Sequence, residues 1–234
     1  MSRHWRNVLI VSLIMILVVG PCFAIIPNYL VDNFGTDTAI FWQMVSFFLA
    51  LSIALIVTVV LIRTQKIGLT RIGLFAPSPW YAVLVGVLTG IFWAYSSTFY
   101  LRGLDPDADV MSLWLRFDPL RFFLIIVGPI GACVEDFITR GFVMSELREA
   151  RIPSWLQLVF SSLLFALYHS IWMVPIIGIY FLYSFVASFF YGALLAWLYF
   201  LGKRSLTPVM LSHGLAVLIG EPILTYMLIQ TFAI

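Results

Sequence analysis

The stretch Cys133-Val-Glu-Asp-Phe-Ile-Thr-Arg-Gly141 places three ionisable side chains inside a segment that is otherwise apolar from residue 122 to residue 144. Charged groups at membrane depth are costly and rare, and they normally face the interior of a helix bundle. Asp136 and Arg140 are four residues apart, so we expect them to share a helix face and pair. Glu135 points about 100° away from Asp136, because a helix has 3.6 residues per turn. The motif therefore indicates either a buried structural ion pair or a pair that leaves Glu135 available for chemistry.

The composition around this stretch is that of a membrane protein. The chain has 234 residues, of which 62% are hydrophobic and 10% charged, whereas soluble domains carry about 25% charged residues. Continuous apolar runs favour helices over an outer-membrane barrel, whose strands alternate in polarity. The net charge of +2 indicates no nucleic-acid partner, so the expected surroundings are the lipid bilayer. Cys22 and Cys133 lie in apolar segments and are interpreted as packed thiols.

The apolar runs predict an all-α, polytopic bundle with seven or eight transmembrane helices. The segment from Ile171 to Tyr199 is too long for one span and short for two, since each needs about 20 residues. Pro175 and Gly178 indicate a break there, which predicts a short helix before the next span. We interpret residues 1–234 as a single domain. The predicted spans are 7–26, 39–62, 81–100, 120–147, 154–169, 184–201 and 206–229.

Basic residues are typical of cytoplasmic loops. The amino terminus, the loop 63–71, the loop 146–151 and Lys203-Arg204 are basic or mixed, whereas the loops after the first and third spans are rich in Asp. This distribution predicts a cytoplasmic amino terminus, in which His4 is solvated. The expected location is the prokaryotic cell (inner) membrane.

Two further histidines, His169 and His213, lie in apolar helices. At a rise of 1.5 Å per residue, Glu135, His213 and His169 lie about 15, 10 and 22 Å from the basic ends of their helices, and helix tilt can absorb these differences. The three side chains are therefore expected to meet in one plane. A buried carboxylate and a histidine suit activation of water, and a second histidine suits donation to an oxyanion. The set predicts hydrolysis of an amide without a covalent intermediate.

Other interpretations use the same side chains. Glu135, His169 and His213 also form the ligand set of a hydrolytic zinc site, although the His-Glu-x-x-His spacing is absent. Buried acids and histidines build proton relays in transporters, but the chain is small and has no inverted repeat. Cys133 lies on another helix face than Glu135 and is not favoured as a nucleophile. Glu221, which precedes Pro222, is interpreted as a second proton-handling group or as a residue at a helix kink.

Three motifs of the chain resemble those of the CPBP intramembrane proteases, the family of CAAX prenyl endopeptidases and bacteriocin-processing proteins. Glu135-Asp-x-x-x-Arg140 is similar to the family's Glu-Glu-x-x-x-Arg, and Phe165-x-x-x-His169 matches its Phe-x-x-x-His. His213-x-x-x-Val217 matches His-x-x-x-Asn at the histidine only. The resemblance covers about residues 120–230, which form the protease-like core.

The resemblance implies an intramembrane endopeptidase with a membrane-associated substrate, either prenylated or leader-bearing. It implies that Glu135 and His169 activate the water and that His213 stabilises the oxyanion. It implies no cofactor, with Zn²⁺ as the alternative. The residues with supporting roles would be Asp136, Arg140 and Phe165.

Val217 departs from the family pattern because its side chain makes no hydrogen bond. Ser212, Tyr168 or a backbone N–H are the groups that could replace the missing asparagine. The alternative is a catalytically impaired member that acts as an immunity or interaction protein.

Overall fold

The computed structural model describes residues 2–23, 29, 36–104, 107, 109–115 and 119–232, and every regular element within them is helical. The elements are α1 (Arg3–Phe23), α2 (Thr36–Thr64), α3 (Trp80–Leu104), α4 (Val110–Leu115), α5 (Pro119–Glu149), α6 (Ser154–Ser170), α7 (Val174–Ile177), α8 (Phe181–Leu201) and α9 (Thr207–Phe232).

Six of these helices are long and apolar enough to cross a membrane: α1, α2, α3, α5, α6 with its short continuation to Ile176, and α8. Helix α9 has 26 residues, which at 1.5 Å per residue is about 39 Å, more than the roughly 30 Å of the hydrocarbon core. The predicted all-α polytopic membrane bundle is therefore confirmed. The predicted spans agree with the helices to within a few residues at most ends.

The segment between α6 and α8 does not form an eighth span. It consists of short helical turns around α7, and α7 ends at Gly178, whose φ of +56° is a conformation that favours glycine. Helix α1 loosens nearby into a π-helix over Met15–Val19. There the Trp172 indole N–H donates to the carbonyl of Ile16 at 2.6 Å. The predicted short helix is thus present, and a hydrogen bond ties this segment to α1.

Helix α9 is held close to α3 by two glycines one turn apart. A Cβ at Gly86 would collide with the backbone of Pro208, and a Cβ at Gly90 would collide with the backbone of Ser212. Small residues spaced by four allow the backbones of membrane helices to approach closely. Helix α9 also packs along α5, so these contacts fix the position of His213 beside the acidic motif.

A polar cluster at the basic end of the bundle ties α1 to α5. The Glu146 carboxylate is buried and accepts from the Asn7 amide at 2.6 Å, while it lies 3.1 Å from His4 Nδ1 and 3.5 Å from the Arg71 guanidinium. Asn7 also exchanges hydrogen bonds with Gln65. The predictions of a solvated His4 and of a loop at Glu146 are therefore wrong. The reason is that α5 continues to its end at residue 149 and turns Glu146 inward.

Candidate active site

The three side chains singled out by the sequence come together from three different helices. Glu135 on α5 is 3% exposed. Its Oε1 lies 4.0 Å from Nε2 of His169 on α6, and its Oε2 lies 3.9 Å from Nε2 of His213 on α9. The carboxylate therefore lies between the Nε2 atoms of the two imidazoles. Both distances are longer than a direct hydrogen bond.

The contact made by Nδ1 of His169 shows which of its two ring nitrogens carries the proton. Nδ1 lies 2.8 Å from the carbonyl oxygen of Phe165, and a carbonyl can only accept, so Nδ1 carries the proton. In the neutral ring the lone pair is then on Nε2, which faces Glu135. The His169 side chain is 18% exposed, against 6% for His213. His169 is therefore the more exposed of the two histidines.

His213 is oriented by the second acid of the motif. Its Nδ1 lies 3.2 Å from Oδ2 of Asp136, whose Oδ1 is 3.1 Å from the Arg140 guanidinium. Asp136 therefore has two partners, Arg140 as the sequence predicts and His213 in addition. Glu135, Asp136 and Arg140 together carry one negative charge when ionised, so a protonated His213 makes the buried cluster neutral. Nε2 of that imidazolium is a hydrogen-bond donor.

Arg140 is fully buried and makes contacts on every side. Besides Asp136, it donates to the Thr139 hydroxyl at 2.9 Å and to the Gly192 carbonyl at 3.4 Å, and its guanidinium lies 4.5 Å from the centre of the Phe165 ring. It belongs to a π-helical segment, Phe137–Val143, where the sequence predicted an ordinary α-helix. Wide π turns are rare and are frequent at functional sites. The ion pair between Asp136 and Arg140 is formed even though Arg140 lies in this wider turn.

Aromatic rings enclose His169. The ring centres of Phe165 and Tyr168 lie 4.2 and 4.3 Å from its imidazole, and Phe23 of α1 lies 4.4 Å from it. Phe165, to which the resemblance gives a supporting role, contacts both His169 and Arg140. The sequence did not single out Phe23, because nothing in its local pattern distinguishes it from the many other apolar residues of α1.

A second pair of rings lies beside His213. Tyr191 of α8 meets the His213 imidazole edge-on at 5.5 Å, and Trp93 of α3 stacks on Tyr191 at 4.3 Å with 16° between the ring planes. Tyr191 is 5% exposed. Helices α3 and α8 therefore contribute to the wall of the site, although the motif analysis used only α5, α6 and α9.

Val217, which stands where the family motif has asparagine, and Glu221 both lie apart from the acid–histidine centre. Val217 is one turn beyond His213 and its Cγ1 approaches Gly128 on α5, where a Cβ would be only 2.8 Å away. Glu221 pairs with Arg121 at 3.4 Å, and both side chains are largely buried. This ion pair joins α9 to α5, so Glu221 has a structural partner near Pro222.

The two cysteines are free, as expected. Cys133 lines an apolar cavity of about 360 Å³ between α2, α5 and α9, together with residues such as Leu55 and Met210. The cavity is lined by none of the acid or histidine residues of the site. Cys133 therefore faces away from Glu135, as its place on the helix predicted.

The distances between the acid and the histidines are longer than those between the ligands of an assembled zinc centre. Zinc ligands at 2.0–2.1 Å in a tetrahedron lie roughly 3.3 Å from one another, whereas the two glutamate–histidine distances are 4.0 and 3.9 Å. Over the described ranges, no group of three His, Cys, Asp or Glu side chains has the arrangement of a metal site.

The fold and the site together define a polytopic membrane protein with a carboxylate held between two histidines inside the bundle. Within that class, the family described as "Type II CAAX prenyl endopeptidase Rce1-like" has a model that matches residues 117–219, a little under half of the chain. This match supports the resemblance of residues 117–219 to the CPBP family. No curated protein and no solved structure matches the chain significantly. The matched segment contains Glu135, Asp136, Arg140, Phe165, His169 and His213.

Proposed function

We propose that this chain is an intramembrane endopeptidase in which Glu135 and His169 activate a water molecule. The observation that carries the proposal is the position of the Glu135 carboxylate, buried between the Nε2 atoms of His169 and His213 at 4.0 and 3.9 Å. Glu135 Oε1 has no hydrogen-bond partner in the protein. A buried acceptor without a partner is costly, and a water between Glu135 and His169 would satisfy it.

The first step adds this water to the carbonyl carbon of the scissile amide. One O–H bond of the water breaks and its proton goes to Glu135, with His169 Nε2 as the neighbouring acceptor. The water oxygen forms a bond to the carbon, and the carbonyl π pair moves to the oxygen. The Nε2–H of protonated His213 donates to this oxyanion. Asp136, fixed by Arg140, stabilises the positive charge on His213.

The second step breaks the amide bond. The proton held by Glu135 passes to the leaving nitrogen, the C–N bond breaks, and the oxyanion pair reforms the carbonyl. The products are a carboxylic acid and an amine, and Glu135 returns to its starting charge. No side chain forms a covalent bond to the substrate, which agrees with the position of Cys133 outside the site.

The proposed substrate class is supported by the family whose model matches residues 117–219. We propose that the chain cleaves a membrane-associated peptide or protein, and that a prenylated carboxy-terminal peptide is the first substrate to test, because the matching family is described as CAAX prenyl endopeptidases. An apolar anchor would hold such a peptide in the bilayer beside the bundle. The amino terminus is proposed to be cytoplasmic, so the basic end of α5 would face the same compartment.

The test uses the full chain reconstituted in liposomes with a farnesylated, quenched-fluorescent CAAX peptide. Wild-type protein should release the terminal tripeptide, and Glu135→Gln should lower kcat by about 10²-fold or more, because a general base contributes about 10²–10⁴. Glu149→Gln makes the same chemical change at the exposed end of α5, where the side chain is 37% exposed, and should cleave normally. Equal cleavage by wild type and Glu135→Gln would overturn the proposal.

We also propose that the reaction needs no metal. A zinc ion held by Glu135, His169 and His213 would leave no base, because Asp136 is engaged by Arg140 and by His213. Cleavage should therefore persist in chelator-treated protein, with bound metal measured on the same sample. Loss of cleavage on chelation, restored by one equivalent of zinc, would reject the metal-free mechanism.

A further inference from the structure

The most unusual polar group near the site is the hydroxyl of Tyr168. The side chain is 0% exposed, and its hydroxyl has no hydrogen-bond partner in good geometry. It belongs to α6, one residue before His169, and its ring centre lies 4.3 Å from that imidazole. Leaving a buried hydroxyl unpaired costs about 1–3 kcal/mol, so this group is the kind that a ligand or a reaction intermediate would satisfy.

The site otherwise contains few donors. His169 Nε2 and both oxygens of Glu135 are acceptors once His169 Nδ1 donates to the Phe165 carbonyl. The Nη1 and Nη2 groups of Arg140 are directed to protein oxygens, as described above, whereas its buried Nε has no hydrogen-bond partner. Apart from that Nε–H, the donor that the acid–histidine centre itself presents is Nε2 of protonated His213. An oxyanion has more than one lone pair and is normally held by two donors in enzymes that stabilise it well.

Three buried hydroxyls without partners surround the centre, those of Tyr168, Tyr191 and Ser212. The Tyr191 ring lies against the imidazole of His213, with 5.5 Å between the ring centres, and Ser212 directly precedes His213 on α9. Both of these hydroxyls therefore belong to the His213 side of the centre, which already has a donor in His213 itself. The Tyr168 ring lies instead against His169, with 4.3 Å between the ring centres, on the side where the attacking water is proposed to lie.

We propose that Tyr168 is a catalytic residue whose hydroxyl donates the second hydrogen bond to the oxyanion, opposite His213. In the resting site no protein acceptor holds its O–H in hydrogen-bonding geometry, so the hydroxyl can rotate. When the proton of the water passes to Glu135, the carboxylate becomes neutral and the negative charge appears on the carbonyl oxygen. The Tyr168 hydroxyl then follows the charge by rotation about its C–O bond, and it keeps its proton throughout. This inference rests on the proposed peptidase activity.

The test is Tyr168→Phe, which removes the hydroxyl and keeps the ring that packs on His169 and Phe165. With the farnesylated peptide, kcat should fall about 10²–10³-fold while KM stays within about twofold, as expected for loss of one oxyanion donor. The matched control is Tyr199→Phe. Tyr199 is also fully buried on α8 with an unpartnered hydroxyl, but lies near Arg204 at the basic end, and its loss should leave kcat unchanged.

A second readout separates donation to the oxyanion from support of Glu135. A peptide aldehyde, whose hydrate imitates the tetrahedral intermediate, should bind Tyr168→Phe more weakly by the same factor as the loss in kcat/KM. If Tyr168 acted only through Glu135, the acid limb of the kcat/KM profile would move and the aldehyde affinity would not, which would overturn the proposal. Full activity of Tyr168→Phe, or an equal loss in Tyr199→Phe, would do the same.

The outcomes also separate this inference from the proposed function. Cleavage that depends on Glu135 but not on Tyr168 refutes the role of Tyr168 alone. Cleavage that does not depend on Glu135, or no cleavage of the peptide by wild type, refutes both. A larger loss in Tyr191→Phe than in Tyr168→Phe would transfer the second donor to Tyr191 and reject Tyr168.

Discussion

Replacing Arg140 by alanine should destabilise the bundle far more than neutralising Glu135. Arg140 is completely buried with Asp136, to which it donates at 3.1 Å, and the same guanidinium bonds Thr139 and Gly192. Arg140→Ala would leave Asp136 buried with His213 as its remaining charged partner. Removing one member of a buried ion pair costs about 3–5 kcal/mol. For a chain of this size that corresponds to a fall in Tm of roughly 6–20 °C.

Glu135→Gln should, in contrast, have little effect on the stability of the bundle. It replaces a buried carboxylate by a neutral amide of the same shape, and Glu135 Oε1 has no partner to lose. The expected change in the free energy of unfolding is therefore within about 1 kcal/mol. The same argument predicts that Glu135→Gln reaches normal abundance in the membrane, whereas Arg140→Ala does not.

The assay is thermal unfolding of the purified protein in one detergent, combined with quantitation of each variant in isolated membranes. Arg148→Ala is the matched control, since Arg148 lies on the same helix but is 35% exposed. An exposed ion pair contributes about 0–1 kcal/mol, so the control should lose no more than about 4 °C. Equal falls in Tm for Arg140→Ala and Glu135→Gln, or for Arg140→Ala and Arg148→Ala, would refute the division between a structural pair and a chemical acid.

Four further outcomes are expected. Asp136→Asn should lower kcat by at least about 10²-fold, because an amide cannot stabilise protonated His213, and should also lower Tm, because it leaves Arg140 buried without its carboxylate; unchanged kcat would contradict this role. Asn7→Ala should lower the free energy of unfolding by about 1–3 kcal/mol, measured by denaturant unfolding, since it leaves a buried carboxylate short of a donor. Gly90→Ala should lower both Tm and kcat by pushing α9 away from α3, whereas Gly68→Ala, which has open space for a Cβ, should change neither. Single cysteines in the loop 63–71 should react with an impermeant maleimide only from the cytoplasmic face, and labelling from outside would reject the proposed orientation.

The architecture was largely predictable from sequence because the physical signal is strong. In lipid, each spanning segment must satisfy its own backbone hydrogen bonds, so long apolar runs become helices. The break before α8 was predictable for a similar reason, since Pro175 and Gly178 stand inside an apolar run that is too long for one span. The meeting of Glu135 with the two histidines also followed from depth along the helices.

Other features depend on contacts between helices, which a local sequence pattern does not reveal. The second partner of Asp136 is His213, 77 residues away, and spacing along one helix reveals only the partner four residues on. Phe23 reaches His169 from a helix without any motif. Glu146 was expected in a loop because it stands among charges, and its burial results from helix α1 covering that end of α5. In each case the deciding information is the packing between helices.

The π-helical turn at Phe137–Val143 makes α5 a helix with two faces in different registers. Above the turn, the helix presents Glu135 and Asp136 to the site, and below it presents Glu146 to the polar cluster of α1. A π turn accommodates one residue more than an α turn would. If the same residues continued as a regular α-helix, the face beyond the turn would be rotated by about 100° relative to the face before it. The chain could then place its acids correctly or its anchor correctly, but not both, so the wide turn lets one helix serve both ends of the bundle.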